Sequence, residues 1–310
     1  MTNKKIAVLV PCYNEGLTIG KVVRDFRKQL PEADIYVYDN NSSDNTAAEA
    51  AAAGAIVRHE PRQGKGHVVR SMFRDIDADC YIMVDGDDTY PADAVQSLLK
   101  PVAEGTADMV IGDRLSNGSY FQENSRSFHG FGNNLVRFTI NHTFSANLKD
   151  IMTGYRCFSR RFVKTFPVLN NGFQLETEMT LFALNYKLHI VEIPITFTER
   201  PDGSVSKLNT FSDGRRVLVC IFNMYRHYRP LSFFSIFAVI LIILGLVVGT
   251  PAIIEYITDH YIYKVPSTIL ASALFIIALL LYMCGLILDS VEKNERQRVE
   301  QAVKTNSMSR

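Results

Sequence analysis

Asp85-Gly86-Asp87 sets two carboxylates one residue apart, directly after the apolar run Cys80–Val84. Carboxylates so spaced on a loop can share a hard divalent cation, leaving its other positions to a diphosphate and water. A D-x-D triplet alone is common in acidic turns. Its place after a strand-like run strengthens the metal reading, as does Asp39, which closes a second apolar run, Ile35–Tyr38. Other polar groups follow the same pattern: Asn14-Glu15 after Val10-Pro11, the turn-rich Asp39–Thr46, and Gly64-Lys65-Gly66. Further along come Gly112-Asp113-Arg114, Asp150 and Glu176-Thr177-Glu178. Read singly, Asp39 and Asp44 are equally turn formers and Lys65 a solvated cation. Glu176 and Glu178 are equally first-turn carboxylates favoured by a helix dipole, and Asp150 is equally a structural partner of Arg156.

The elements that must hold these residues alternate quickly. Lys5–Pro11 reads as a buried strand feeding a loop. Leu17–Leu30 has helical spacing through Ile19, Val22, Val23, Phe26 and Leu30, with Thr18 as its cap. A strand at Ile35–Tyr38, an alanine-rich helix at Ala47–Ala53 closed by Gly54, and a strand at Ala55–His59 come next. A helix running through Phe73, strands at Cys80–Val84 and Met109–Gly112, and a helix from about Glu176 to Tyr186 complete the reading. Strand and helix alternating at this pace predict βαβ units and a mostly parallel sheet. Ligands of such sheets gather beyond the carboxyl ends of the strands. The polar loops all fall there, so they are expected to converge on one cleft.

Near the C-terminus, Leu231–Ile254 and Ser267–Leu288 carry no charge. Each matches the ~20 residues a helix needs to cross a hydrocarbon core of roughly 30 Å, and soluble core helices seldom run past ~18 residues without a charge. Arg215, Arg216, Arg226 and Arg229 precede the first run, and Lys293, Arg296, Arg298 and Lys304 follow the second. The connection Glu255–Pro266 has only Lys264, so positive-inside counting puts both termini in the cytoplasm. Asp213–Arg229 recurs at helical spacing through Val217, Leu218, Ile221, Phe222, Tyr225 and Tyr228, as an interfacial helix would; packing on the preceding domain is the alternative. The expected divisions are 1–210 for a cytoplasmic domain, 211–230 for the interfacial helix, 231–288 for a transmembrane hairpin and 289–310 for a cytoplasmic tail. A soluble domain tied to a bilayer points to chemistry on a lipid-borne substrate.

Composition narrows the class further. Of 310 residues, 33 are Lys or Arg and 32 Asp or Glu, which gives no bulk attraction for nucleic acid. Five scattered cysteines without a C-x-x-C pair argue against a disulfide framework or a zinc site. The only early apolar run, Ile6–Val10, is too short for a signal-peptide core.

In order and spacing, Val10-Pro11-Cys12-Tyr13-Asn14-Glu15, Asp39 with Ser43-Asp44-Asn45-Thr46, Gly64-Lys65-Gly66, Asp85-Gly86-Asp87 and Gly112-Asp113-Arg114 resemble the family-2 inverting glycosyltransferases. Asp150-Ile151-Met152-Thr153-Gly154-Tyr155-Arg156 and Arg200-Pro201-Asp202-Gly203-Ser204 through Lys207 resemble the dolichol-phosphate mannose synthase and bactoprenol-phosphate glycosyltransferase branch. The resemblance implies a GT-A-like nucleotide-sugar-binding domain, followed by an interfacial helix and two membrane spans. It implies that Pro11, Tyr13 and Glu15 line the base and ribose pocket, that Asp39 receives a nucleobase N–H, and that Lys65 approaches the diphosphate. Asp85 and Asp87 would hold Mg2+ or Mn2+.

Arg114, Arg126, Arg137, Arg200 and Lys207 are candidates for the acceptor phosphate, and Asp87, Asp150 and Glu178 for the catalytic carboxylates. The branch often has a serine where this chain has Gly130, a departure that His129 or Asn133 would offset. The implied reaction moves one sugar from a nucleoside diphosphate sugar to undecaprenyl phosphate in the cell membrane. UDP-N-acetylglucosamine or UDP-glucose is favoured over GDP-mannose. A separate flippase would be needed, and the arginines near the spans leave room for a homo-oligomer. A non-catalytic scaffold is the reading from another class. A processive synthase is disfavoured because the chain lacks tryptophan, and with it a Gln-x-x-Arg-Trp motif.

Overall fold

Strand β1 (Ile6–Cys12) is buried along most of its length because the sheet around it is covered on both faces. The computed structural model describes residues 4–116, 127–168, 175–198, 219, 222–223 and 225–308; for 127–133 and 302–308 it describes the backbone alone. The chain divides into two compact units, Met1–Val217 and Leu218–Arg310.

In the first unit, β1 joins β2 (Asp34–Asp39), β3 (Ile56–His59), β4 (Cys80–Met83), β5 (Met109–Asp113), β6 (Arg156–Ser159) and β7 (Ile190–Pro194). The sheet order is β3-β2-β1-β4-β6-β5-β7. All pairings are parallel except those of β6, which runs antiparallel to β4 and β5. One face packs Val8, Val10, Ile35, Val37 and Ile82 against Val22, Val23 and Phe26 of α1 (Ile19–Gln29). Leu98 and Val102 of a later helix, Val95–Ala103, join the same core. On the other face, Phe73 of α3 (Lys65–Asp75) meets Tyr81 and Phe158 edge-on, with ring centroids 6.4 and 5.8 Å apart. Between α1 and α3 lies α2 (Thr46–Ala52), and Val95–Ala103 is α4. Each apolar side chain fully buried in these layers contributes roughly 1.5–3 kcal/mol.

Two details of this unit differ from expectation. Thr18 occupies the N-cap position of α1, but its hydroxyl accepts no helix N–H. It donates instead to the Gly86 carbonyl at 2.6 Å, tying the start of α1 to the D-x-D loop. Strands β6 and β7 and the helices α4, α5 (Ser127–Phe144) and α6 (Arg160–Thr165) are additions to the sequence reading. Helix α7 (Leu175–Asn185) lies where expected. Its Phe182 packs on Phe162 and Phe166 of the α6 region, with centroids 5.8 and 5.2 Å apart.

The second unit contains α8 (Pro230–Asp259) and α9 (Val265–Met308). They form an antiparallel hairpin in which Phe275 lies over Gly245 and Ala271 over Gly249. Both helices are long and apolar enough to cross a membrane. Their outward residues, among them Val239, Ile243, Val247, Ile276 and Leu279, are exposed, the reverse of a soluble core. The connection is shorter than Glu255–Pro266. Helix α8 runs on through Glu255, which pairs with Lys264 at 2.9 Å, and stops at left-handed His260 (φ 52°). Pro266 falls in the first turn of α9, where its missing N–H leaves no hydrogen bond unmade. The 289–310 tail is not a separate element, because α9 continues to Met308 with i,i+4 pairs Lys293–Asp289 and Arg296–Glu292 along the way. Most of 211–230 lies outside the described residues; within it Val219, Phe222 and 225–228 are helical.

Candidate active site

Strand register brings the acidic loops to one edge. Cys12 pairs with Asp39 and Asp39 with His59, so β1 to β3 end level, while β4 ends three residues earlier, with Met83 opposite Leu9. Strand β5 ends there at Asp113, and antiparallel β6 begins there, with Arg156 opposite Met83 and Ile111. The loops after β1 and β2 are laced together. Asn14, at φ 52°, donates its N–H to Ser42 Oγ at 2.9 Å, and its Oδ1 accepts from Ser43 N at 2.7 Å. Glu15 N donates to Thr46 Oγ1 at 2.9 Å, and Gly16 N to Asp44 at 3.0 Å. Burial raises the Asp44 carboxyl, but hydrogen bonds from Thr46 and Gly16 outweigh it and hold the group below its ordinary value.

Within this lacing Asp39 is distinctive. It is 7% exposed; Oδ2 lies 3.4 Å from Ser42 N and from His59 Nδ1, whereas Oδ1 is buried with no hydrogen-bond partner among the described residues. A buried carboxylate oxygen left without a donor is costly, and a ligand N–H would satisfy it. Next to it, the Asn40 amide donates to the carbonyls of Glu60 and Arg62 at 2.9 and 2.7 Å and accepts from Gly64 N at 2.7 Å. That clamp presents Lys65, the first residue of α3, to the cleft.

Lys65 Nζ donates to Asp85 Oδ1 at 2.6 Å and to Glu176 Oε1 at 2.7 Å. Burial alone would push its ammonium down, but the two carboxylates prevail and hold it above its ordinary value. Gly86 is required in its place: a Cβ there would sit 2.7 Å from Cys12 Sγ. At Gly154 a Cβ would collide with the Asp85 carboxylate. Asp87 is 4% exposed, and its Oδ1 accepts from Thr89 Oγ1 at 2.7 Å. Tyr90 OH accepts from Gly154 N at 2.9 Å, which ties the D-x-D loop to the segment before β6.

At the β5 and β6 end, Asp150 pairs with Arg114 rather than Arg156: Arg114 Nε and Nη2 donate to its two oxygens at 2.7 and 3.0 Å. The Arg114 guanidinium also lies 5.6 Å from the Phe197 ring centre. Arg156 is wholly buried and donates to the carbonyls of Thr153 and Ile151 and to Thr180 Oγ1. Burial lowers its guanidinium to about 10, against the pull of Glu176 and Asp150.

Among the predicted residues, Pro11 is half-buried in β1, Tyr13 is 38% exposed and Glu15 half-buried beside Gly86. Glu178 is buried on α7, and Arg137 is half-buried on α5. Arg126, Arg200 and Lys207 lie outside the described residues. The roles of Asn40 and Tyr90, the bond from Thr18 to Gly86 and the bridging by Glu176 are additions of the structure. The Asp-Asn-Asn turn is a signal for Asn40, and Thr18 is legible as a helix cap; Tyr90 has no such signal.

A mostly parallel sheet with a D-x-D loop, a partly buried lysine and an open carboxylate along one edge is the GT-A arrangement of a glycosyltransferase. The chain belongs to glycosyl transferase family 2, whose family model matches residues 7–166. Glycosyltransferase AglJ of Haloferax volcanii is 30% identical over 307 residues, covering 97% of this chain and 99% of that protein. Undecaprenyl-phosphate mannosyltransferase of Micrococcus luteus is 27% identical, over 64% of this chain and 86% of its own. In fold, the chain is similar to glucosyl-3-phosphoglycerate synthase of M. tuberculosis, solved in complex with Mn2+, UDP-glucose and glycerol 3-phosphate. The TM-score is 0.58 at 17% identity, over 72% of this chain and 80% of that one.

Proposed function

We propose that this glycosyltransferase moves one sugar from a nucleoside diphosphate sugar to a polyprenyl phosphate, undecaprenyl phosphate in particular, inverting the anomeric centre. The observation that carries the reading is the presence in one chain of the Asp85-Gly86-Asp87 rim and two helices, Pro230–Asp259 and Val265–Met308, that carry long, exposed apolar runs. An acceptor that lives in a bilayer explains both. The relative named for undecaprenyl phosphate supports the same acceptor class.

In this reading Asp39 Oδ1 accepts an N–H of the nucleobase, Pro11, Tyr13 and Glu15 flank the base and ribose, and Lys65 faces the diphosphate. Asp85 and Asp87 offer hard oxygen donors, which fit Mg2+ or Mn2+. No group of three or more His, Cys, Asp or Glu among the described residues is placed to hold an ion, so oxygens of the donor complete the set. Once bound, the cation offsets charge on the departing diphosphate. A phosphate dianion is already nucleophilic, so the chain positions it with cations instead of removing a proton. Arg137, Arg126, Arg200 and Lys207 serve that role, with Arg114 oriented by Asp150. Glu178 orients sugar or acceptor. The catalytic unit and both termini are cytoplasmic, because cations flank the outer ends of the spans. Export of the product needs a separate flippase.

UDP-N-acetylglucosamine or UDP-glucose is the proposed donor, and the UDP-glucose complex of the similar fold supports it. GDP-mannose is the second reading, favoured by the mannosyltransferase relative. Thermal unfolding of the purified chain with each donor and Mn2+ discriminates them: ligand at 100 times Kd adds about 2.7 kcal/mol. Protection by a UDP-sugar alone is expected. Protection only by GDP-mannose would favour the second donor, and protection by neither would overturn the donor assignment.

A further inference from the structure

Asp85 is asked to do two things. It accepts a hydrogen bond from Lys65 at 2.6 Å, and, in the reading above, it holds a divalent cation with Asp87. Its other oxygen lies against Gly154, where even a Cβ would not fit. Ammonium and incoming cation therefore compete for one small carboxylate. Releasing Lys65 from Asp85 with no other partner would strand a cation whose side chain is only 17% exposed, a costly state.

Glu176 removes that difficulty. Its carboxylate, 6% exposed, sits 2.7 Å from the same ammonium, on the side away from the D-x-D triplet in sequence and on a separate helix. Its placement does not depend on Asp85. Helix α7 is held by Phe182 against Phe162 and Phe166. The Glu176 carbonyl accepts from Thr180 Oγ1 at 2.9 Å, and Thr180 in turn accepts from buried Arg156 at 2.9 Å.

We propose that Glu176 is the positioning residue that lets Asp85 exchange the Lys65 ammonium for a divalent cation. Glu176 keeps Lys65 paired at the rim while Asp85 turns to the metal, and the hydrogen thus freed on Lys65 Nζ is available to the donor diphosphate. Glu176 acts through Lys65 and touches neither metal nor sugar. This inference rests on the reading of Asp85 and Asp87 as cation ligands.

The test is Mn2+ titration of the full-length chain in detergent without any donor, read by calorimetry and by thermal unfolding. Glu176→Gln is expected to raise the Mn2+ Kd roughly tenfold, the usual scale for loss of an outer-shell partner. In a Lys65→Met background, where no ammonium competes, the same substitution is expected to change the Kd little. Glu176→Asp, which keeps the charge but shortens the reach, should fall between wild type and Glu176→Gln; it carries the test if the glutamine variant does not fold. An unchanged Kd in Glu176→Gln would overturn the inference while leaving the metal reading intact. Equal weakening in both backgrounds would also overturn it, since the effect would then be a field of charge and not release of Lys65. A wild-type chain that binds no Mn2+ would overturn the metal reading, and this inference with it.

Discussion

The two ends of the cleft edge handle charge differently. At the β1 to β4 end, side chains lace loops together yet leave Asp39 Oδ1 open, while Lys65 is shared between two carboxylates. At the β5 to β7 end, Asp113 Oδ2 is likewise buried with no hydrogen-bond partner among the described residues, but the charged groups around it are paired. Asp150 receives two bonds from Arg114, and Glu192 accepts the N–H groups of Lys149 and Asp150 at 2.8 and 2.9 Å. Burial raises the Glu192 carboxyl, with those backbone N–H groups opposing it. Asp113 apart, one end is built with an opening, and the other is braced. A ligand is expected to meet the first end with little rearrangement, whereas the second end sets the position of its cations through internal pairs.

Breaking the brace is expected to have the largest effect. Arg114→Ala leaves Asp150 buried at 0% exposure without its guanidinium, which is expected to cost about 3–5 kcal/mol of stability, measured by denaturant unfolding. Arg137→Ala, at a half-buried position on α5, should change stability by well under that. Equal costs would erase the distinction between a braced cation and one free to meet a ligand.

Next in size is Asp87→Ala, expected to lower transfer by roughly 10²–10³-fold with the chain still folded, as for other losses of charge stabilisation at a reacting centre. Full activity in that variant would remove the D-x-D loop from the chemistry.

Asp39→Ala should act on the open end alone. Loss of one charge-assisted hydrogen bond weakens donor binding by about 1.5–3 kcal/mol, read as a rise in donor KM with acceptor KM unchanged. A rise in both would show that Asp39 organises the whole edge.

Much of the first end was legible in the sequence. Strands β1 to β5 and helices α1 to α3 are each bounded by turn residues, and each polar group sits just past an apolar run. The braced end was less so. Strand β6 is four residues long and opens on Arg156, a charge that reads against a central strand; the carbonyls of Thr153 and Ile151 and the Thr180 hydroxyl help make it tolerable there. Lys65 and Asp85 could be marked from local motifs, but Glu176 lies 111 positions from Lys65, and no local pattern joins them. Arg114 and Asp150 were both singled out, yet their pairing came only with the antiparallel insertion of β6.

A smaller effect tests the lacing itself. Arg62 and Ser71 hold the Glu60 carboxyl down at about 2, against an ordinary 4.5. Its contribution is therefore complete above pH 4.5 and lost as pH falls toward 2. Glu60→Gln should destabilise the chain by about 1–2 kcal/mol at pH 7, because Arg62 is half exposed and partly screened, and by almost nothing near pH 2. A deficit independent of pH would mean that packing and not the ion pair holds that loop.

The central claim is that the acidic rim and the apolar helices serve one reaction on a lipid-borne phosphate. The direct measurement is transfer of radiolabelled sugar from UDP-glucose, UDP-N-acetylglucosamine or GDP-mannose to undecaprenyl phosphate by the full chain in bilayers with Mn2+. The account predicts a labelled, lipid-extractable product from one of the donors, abolished by chelator and lowered roughly 10²–10³-fold by Asp87→Ala. No lipid-linked product from any donor, or label passed equally well to water-soluble acceptors in the presence of chelator, would contradict it.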